Sequence, residues 1–180
     1  MPADDAAAVA QGNVILRGRP GFLARRLHQI HVAFFLAECA EAQLTPIQWG
    51  IMTVVAGQAG MGHQEIAAEM GIDRSNTADV LVRLADRGIV TLRRSATDRR
   101  KKCAYLTPRG RSIMQRFETQ VRRSQNRMLQ PLNATERKVF MTLLRRLVDH
   151  NHDFSRAPLR LSGADDVTGA LDRALEDELT

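Results

Sequence analysis

Apolar residues recur at helical spacing through most of the chain between residues 20 and 155. The pattern predicts a first helix over residues 22–42, where Leu27 and Ile30 mark its apolar side. A second helix is expected to begin at Thr45, because Thr is a good N-cap and the proline that follows it suits the first helical position. Glycines between residues 57 and 62 then end this helix.

Two shorter helices follow with almost no connection between them. Residues 64–71 are predicted to form a helix that closes on Gly71, and the next helix starts at Asp73, a good N-cap residue, and stops at Gly88. Two helices joined by a tight turn containing glycine are typical of a helix-turn-helix. The second of them would be the helix that reads DNA.

Alternating apolar and polar residues then predict two β-strands, over residues 89–93 and 103–106. The segment between them, residues 94–102, is too highly charged to be buried. Together they are expected to form a β-hairpin with a basic tip, which we call the wing. A helix beside a cationic hairpin is suited to reading one DNA groove and gripping the next, so the pattern indicates a winged helix-turn-helix.

Two long helices are predicted after the wing. Thr107 and the proline after it start one helix that runs to near Pro131, and Asn133 with Glu136 fits a capping arrangement for the last helix, over residues 139–152. Their apolar stripes exceed what a small DNA-reading core needs. They either form a dimer interface, which would present two reading helices to two half-sites, or pack within one chain.

The predicted fold is therefore mainly α with a small β-wing, a winged helix-turn-helix with long N- and C-terminal dimerisation helices. The domain is expected over residues 20–155, with a DNA-binding part over about 45–110 and dimerisation helices over about 20–42 and 107–155. Residues 1–19 are predicted to be an N-terminal extension. Residues 156–180 form an acidic tail that is either an amphipathic helix or disordered.

The charge is unevenly distributed along the chain. Residues 74–111 hold eleven Arg or Lys side chains and three Asp, a local net charge of +8, whereas the whole chain carries +6. This basic block is typical of a nucleic-acid-binding protein, although a solvated surface would also explain it. Two cysteines are too few for a disulfide framework, and with no leader peptide and no apolar run of about 18 residues a cytoplasmic protein is expected.

Five motifs occur in order and at matching spacing across roughly residues 20–150. They are Leu44-Thr-Pro-Ile-Gln48 at a helix start, Gly71-Ile-Asp-Arg-Ser75 before the reading helix, Arg83-Leu-Ala-Asp-Arg-Gly-Ile-Val90 at its end, Asp98-Arg-Arg100 in the wing and Leu106-Thr-Pro-Arg-Gly110 after it. Together they resemble the MarR family (multiple-antibiotic-resistance regulators). The resemblance implies a triangular, mostly helical homodimer that represses transcription and often releases DNA on binding a small molecule.

The reading helix and the wing supply the expected DNA contacts. Ser75 and Asn76 are able to hydrogen-bond base edges or phosphates, and Thr77 beside them faces either DNA or the core. Arg74 is expected at the DNA backbone. By the resemblance, Arg100 enters the minor groove, where a narrow A·T-rich stretch attracts arginine.

Other charged residues have supporting roles in this prediction. Lys101, Lys102 and Arg99 would attract phosphates, and Asp98 would hold a neighbouring arginine in place through a charge-assisted hydrogen bond. Arg83 and Arg94 either contact phosphates or pair with Asp98. One departure from the family concerns Ala78-Asp79, where the family often has Thr-Arg. Asp79 either reads a cytosine amino group or pairs with Arg83, four residues on.

By the same resemblance, an effector binds between the dimer helices and the DNA-reading unit. The residues expected there are His28, His31, Phe35, Trp49 and Met52, with Arg17 or Arg25 near the mouth of the site. Aromatic walls with a cation suit an aromatic carboxylate or its coenzyme A thioester, and residues 19–28 are similar to the branch of the family that governs aromatic-acid catabolism. The alternative for Phe35, Trp49 and Met52 is ordinary core.

Metal and thiol sensing are weaker alternatives. His28 and His31 are three apart on a helix, a spacing that can hold a metal, and His150 and His152 lie near the other dimer helix, but neither pair has the Cys and carboxylate ligands that a metal site needs. Neither a metal nor a cofactor is expected. Cys39 is predicted to be a buried, inert thiol, and Cys103, beside many cations, a minor oxidation site at most.

The leading prediction is thus a ligand-responsive, homodimeric DNA-binding regulator, specifically a repressor released from a pseudo-palindromic operator. Its expected partners are double-stranded DNA, a second copy of the chain and a small effector, with no membrane. A constitutive architectural DNA-binding protein and a thiol-based redox-sensing repressor are the alternatives. An enzyme is not expected, because the sequence has no nucleophile–base pair, no Gly-rich phosphate loop after a strand and no ligand-spaced metal cluster.

Overall fold

The structure is a computed structural model that describes residues 15–95 and 100–154. Most of the expected N-terminal extension, the wing tip with Asp98 and Arg99, and the acidic C-terminal tail lie outside the described residues. The predictions for these segments therefore stay predictions.

Helices dominate the described part of the chain, and one small sheet interrupts them. The main elements are α1 (Pro20–Glu38), a 3-10 turn (Ala40–Ala42), α2 (Pro46–Gly57), β1 (Met61–Gly62), α3 (His63–Met70), α4 (Arg74–Asp86), β2 (Val90–Arg94), β3 (Lys102–Leu106), α5 (Pro108–Leu129), α6 (Ala134–Asn151) and a second 3-10 turn (His152–Phe154). The prediction of a mainly α fold with a small β-wing is confirmed. We call α1, α5 and α6 the arm of the molecule.

The helices begin and end at the residues that the sequence indicated. At the start of α2, the Thr45 hydroxyl accepts a hydrogen bond from the Gln48 N–H, and the Gln48 side chain accepts one from the Thr45 N–H. Asn133 heads a second capping box of the same kind at α6. Gly71 and Gly88 have φ values of 60° and 64°, in the left-handed region that ends α3 and α4.

The first helix is shorter than predicted. Helix α1 ends at Glu38, and the chain continues through the 3-10 turn to Gln43, whose φ of 50° lies in the left-handed region. A non-glycine residue rarely adopts this conformation. One continuous helix over residues 22–42 was therefore wrong in its last turn, where the chain bends before α2.

The sheet contains the two predicted wing strands and a third that was missed. β2 and β3 pair antiparallel from Val90 opposite Leu106 to Arg94 opposite Lys102. β1 adds to the other edge of β3, so that the strand order is β1-β3-β2. A two-residue strand is too short to show an alternating pattern, which is why the sequence did not reveal it.

The core lies between α2, α3, α4 and the sheet. Its most deeply buried side chains include Ile51, Met52, Ile66, Leu84 and Ile89. Helix α1 packs along α5, and Phe35 and Phe117 extend the core between them. Helix α6 differs from the rest because none of its side chains is buried. Helix α4 thus packs one face against the core, whereas α6 buries none of its side chains.

Candidate DNA interface and effector site

Helix α4 has one buried and one exposed face. Thr77, Val80, Leu81 and Leu84 lie against the core. At 3.6 residues per turn, the centre of the opposite face carries Ser75, Asp79, Val82 and Asp86, and all four are exposed. Arg74 and Asn76 are exposed in the first turn. The helix therefore presents a largely polar surface to solvent, which Val82 interrupts.

Thr77 is not on that surface. Its side chain has 0% exposed area, and its hydroxyl donates a hydrogen bond of 3.0 Å to the carbonyl oxygen of Asp73. Of its two possible placements, the structure has the one in the core. The prediction of Thr77 as a DNA contact is wrong, because helical spacing puts it on the same face as Leu81 and Leu84.

Asp79 keeps its carboxylate on the outer face of α4. In the described part of the chain no hydrogen bond or ion pair joins it to Arg83, although both side chains are exposed. The pairing alternative is thus not supported. An acidic group at this position would repel phosphates. A carboxylate is nevertheless the kind of group that can accept a hydrogen bond from a cytosine amino group.

The wing continues directly from the reading helix. Only the residues from Arg87 to Ile89 separate α4 from β2. Arg94, Arg100, Lys101 and Lys102 belong to this hairpin, and the Ser95 N–H donates to the Lys101 carbonyl at 2.9 Å, which extends the pairing toward the tip. Asp98 and Arg99 lie between these residues but outside the described chain.

Like charges face each other near the end of the wing. Arg94 is directly opposite Lys102 in the strand register, and both are exposed. Cross-strand pairs of the same sign destabilise a hairpin, by up to about 1 kcal/mol. Arg93, the next residue inward, instead stacks its guanidinium 5.5 Å from the centre of the Tyr105 ring. The wing is therefore a cationic edge whose repulsion an anionic partner would relieve.

Aromatic rings form a row that leads from the surface of α1 into the core. His28, His31, Phe35 and Trp49 follow one another with ring centres 6.4 Å apart at each step. His28 is exposed, His31 is half-buried, and the last two rings are buried. The structure thus brings together four of the residues predicted for the effector site.

One ring nitrogen of His31 makes no hydrogen bond with the described residues. Its Nδ1 is buried and has no hydrogen-bond partner in the described chain. Burial, and then the neighbouring His28, lower the pKa of His31 below its ordinary value. A neutral imidazole with an unsatisfied buried nitrogen is costly, and it is suited to receive a polar group from a ligand.

The other predicted ligand residues are less favourable. Met52 has no exposed surface, and Phe35 and Trp49 are buried members of the core, as their alternative interpretation proposed. Arg25 lies over the ring of Phe22, 5.5 Å from its centre, and Arg17 is exposed. His28 is therefore exposed and His31 half-buried, whereas Phe35, Trp49 and Met52 are buried in the core.

Thiol and metal sensing find little support. Cys39 has 1% exposed area, and burial, followed by the adjacent Glu38, raises the pKa of its thiol, so that the reactive thiolate is disfavoured. Cys103 is also buried. Within residues 15–95 and 100–154 no three His, Cys, Asp or Glu side chains are grouped as metal ligands. No helix in the same ranges has the length and hydropathy needed to span a bilayer.

Two residues at α4 were missed in the sequence. Val82 is 50% exposed at the centre of the outer face, where the helical period alone would have placed it. Arg87 follows the helix and donates two hydrogen bonds to the turn after α1. No local pattern could have revealed that contact, because its partners are 44 and 45 residues away.

Comparison with known proteins agrees with these features. A sequence model of the MarR family matches residues 42–101. A putative transcriptional regulatory protein for the hcr operon of Thauera aromatica is 33% identical over 104 residues, which cover 58% of this chain and 63% of that protein. The aligned part thus spans less than two thirds of that relative.

Solved structures match over more of their length. The PcaV transcriptional regulator of Streptomyces coelicolor, in complex with its natural ligand, has 32% identity and a TM-score of 0.70, with 74% of this chain and 94% of that chain covered. The repressor CouR, bound to a 23-mer DNA duplex, has 29% identity, a TM-score of 0.69 and coverages of 74% and 94%.

A third matching structure is that of BpsR of Bordetella bronchiseptica, a protein whose DNA binding is regulated by 6-hydroxynicotinic acid. It has 27% identity and a TM-score of 0.70, with 73% of this chain and 94% of that chain covered. This chain therefore belongs to the MarR family, whose matched members are transcriptional regulators and not enzymes.

Proposed function

We propose that the protein is a homodimeric repressor that binds a pseudo-palindromic operator and is released by a small aromatic acid or its coenzyme A thioester. The observation that carries the proposal is the exposed polar face of α4 beside the basic wing, on a chain whose last helix leaves its apolar stripe uncovered. Each part of the proposal rests on a different group of residues.

DNA recognition is assigned to α4 and the wing. Ser75 and Asn76, in the exposed first turn of α4, are suited to base edges in the major groove. Asp79 accepts from a cytosine amino group on the same face. Arg100 is proposed for the minor groove, and the neighbouring lysines for phosphates. CouR bound to a DNA duplex is the structural precedent.

A second copy of the chain is the proposed partner of the arm. The exposed apolar residues of α6 lie at helical spacing and form one stripe: Val139, Leu143, Leu144, Leu147 and Val148. Leu23, Ile30 and Leu36 are exposed on α1. Apolar surface of this extent is typical of an interface, and a two-fold axis through it would present two α4 helices to two half-sites.

The effector is assigned to the row of rings on α1. The buried Nδ1 of His31 supplies a hydrogen-bonding group, His28 lies at the exposed end of the row, and Arg17 and Arg25 supply positive charge for a carboxylate. BpsR, whose DNA binding is regulated by 6-hydroxynicotinic acid, supports this class of compound, and PcaV in complex with its natural ligand supports a small-molecule effector. Buried core rings would move slightly to admit an aromatic ligand.

The experiment begins with duplexes selected from a random pool by the purified protein. A melting-temperature panel with benzoate, 6-hydroxynicotinic acid and benzoyl coenzyme A follows, and each compound is then titrated into the DNA complex. We expect a saturable rise in melting temperature with at least one compound, accompanied by DNA release.

The His31→Leu variant provides the control for the effector site. It should retain DNA binding and lose the rise in melting temperature. Tight DNA binding with no response to any compound would instead identify a constitutive DNA-binding protein. Failure to select any duplex would contradict the proposal as a whole.

A further inference from the structure

The end of the reading helix is held from two sides. On the first side, Arg87 donates from Nη1 to the Gln43 carbonyl at 2.7 Å and from Nη2 to the Ala42 carbonyl at 3.1 Å. These carbonyls end the 3-10 turn that follows α1. A planar guanidinium can reach two successive carbonyls at once, which a lysine ammonium does less well.

On the second side, the start of α5 contacts Gly88 and Ile89, the two residues that follow Arg87. The Thr107 hydroxyl donates to the Gly88 carbonyl at 2.7 Å, and the Thr107 N–H donates to the Ile89 carbonyl at 3.1 Å. Gly110, one turn later, lies so close to the Ile89 carbonyl oxygen that a Cβ there would overlap it. Residues 87–89, which we call the bracket, therefore contact both the 3-10 turn after α1 and the start of α5.

We infer that Arg87 is a positioning residue, which fixes the angle of α4 against the arm and so the separation of the two reading helices in the dimer. The inference rests on the proposed function, because it assigns a role in DNA reading. It goes beyond the direct contacts with DNA, since Arg87 is half-buried behind α4 and acts through the bracket.

The hydrogen-bond acceptors beside Arg87 favour a cation at this position. The last carbonyls of a helical turn carry partial negative charge, which favours a guanidinium. A second arginine contacts the same turn from α5, where Arg116 pairs with Glu41 at 2.8 Å, but their side chains are 68% and 76% exposed. Water and salt screen such an exposed pair. Arg116 is therefore a matched control for Arg87.

The bracket also connects the effector site with DNA. Helix α1 carries His28 and His31 and runs into the turn that Arg87 holds. A ligand that shifts the end of α1 would move the two carbonyls and, through the guanidinium, the end of α4. The same connection would oppose binding of the ligand while DNA holds α4 in place, because coupling between two sites is reciprocal.

The first test uses the full-length protein without DNA. Hydrogen–deuterium exchange is compared in the wild type, Arg87→Met, Arg87→Lys and Arg116→Met. We expect Arg87→Met to raise exchange at least threefold in both residues 40–44 and residues 84–89, with Arg87→Lys intermediate and Arg116→Met like the wild type. Unchanged exchange in either segment, or an equal effect of Arg116→Met, would overturn the bracket.

The second test uses selected duplexes whose half-sites are moved apart or together by one base pair. The wild type should prefer one spacing, and Arg87→Met should lose at least half of that preference in its ratio of affinities, while still binding the best duplex. An unaltered preference would refute the positioning role. If the wild type bound no duplex, the proposed function would fail, and the exchange experiment would still decide whether the bracket couples α4 to the arm.

Discussion

Thr77 and Asp79 lie two positions apart in α4, yet one is part of the core and the other faces solvent. Their difference follows from the helical period alone, because two residues correspond to a rotation of about 200°. A sequence motif that covers the start of the reading helix therefore mixes residues for DNA with residues for packing. Burial separates them, and it leaves Ser75, Asn76 and Asp79 as the candidates for base contacts.

Arg100 is the residue whose loss should affect DNA binding most directly. We expect Arg100→Ala to lower the affinity for the selected duplex about tenfold and to reduce the slope of log affinity against log salt by roughly 1, without changing the melting temperature. Fluorescence anisotropy at several salt concentrations would measure both. Arg116→Ala removes the same charge from the arm and should leave the affinity near that of the wild type. Equal affinities for all three proteins would remove the wing from the interface.

His31 should make stability depend on pH. Burial lowers its pKa from the ordinary value of 6.5. As pH falls through that value, the unfolded chain binds the proton first, so that the free energy of unfolding decreases until the folded His31 also protonates. His31→Gln lacks this contribution and should have a flatter stability profile between about pH 7 and pH 5, in urea unfolding at each pH. Parallel profiles would show that His31 titrates alike in both states.

At the scale of elements, most of the fold could be predicted from the sequence because its signals are local. Thr45, Asn133, Gly71 and Gly88 act within one turn of their own position, and the structure confirms each. The strands of the wing were also predicted to within one residue of their ends, since the structure has them at Val90–Arg94 and Lys102–Leu106. The predicted end of α1 was wrong, because the apolar pattern continues across the 3-10 turn.

The candidate site could be predicted less completely from the sequence than the fold, and the reason is physical. The contacts that define the site join residues that are far apart in sequence, such as Phe35 with Trp49, or Arg87 with the turn after α1. Periodicity shows which face a residue occupies but not which element covers that face. The aromatic residues of α1 and α2 were correctly placed together, yet the sequence left open whether they form a pocket or a core.

The junction between the wing and α5 provides a test at the same scale. Gly110→Ala would place a methyl group against the Ile89 carbonyl oxygen, a backbone atom that cannot turn away. We expect the free energy of unfolding to fall by about 2 kcal/mol, as measured by urea denaturation. Gly21→Ala in α1 meets no atom within 4 Å, and it should raise stability by a few tenths of a kcal/mol up to ~1 kcal/mol. Similar effects of the two substitutions would contradict the packing described here.

At the scale of the whole molecule, the proposed dimer depends on the exposed apolar stripe of α6. Leu147 is 63% exposed in the middle of the α6 stripe. We expect Leu147→Glu to convert the dimer into a monomer in light scattering after size exclusion, because a carboxylate would be buried without a partner at the interface. Val82→Glu introduces the same charge at an exposed apolar residue of α4, and it should leave the dimer intact. A monomeric wild type would mean that α6 serves another partner.

The facing cations of the wing have one more consequence. Arg94 and Lys102 repel each other in the free protein, and the same pair attracts phosphates in a complex. Added salt screens both interactions, so it should stabilise the uncomplexed hairpin while it weakens the grip on DNA. Higher ionic strength would then raise the stability of the free hairpin and lower the affinity of the protein for DNA. Other polyanions, which would relieve the same repulsion, would then compete with the proposed operator for the wing.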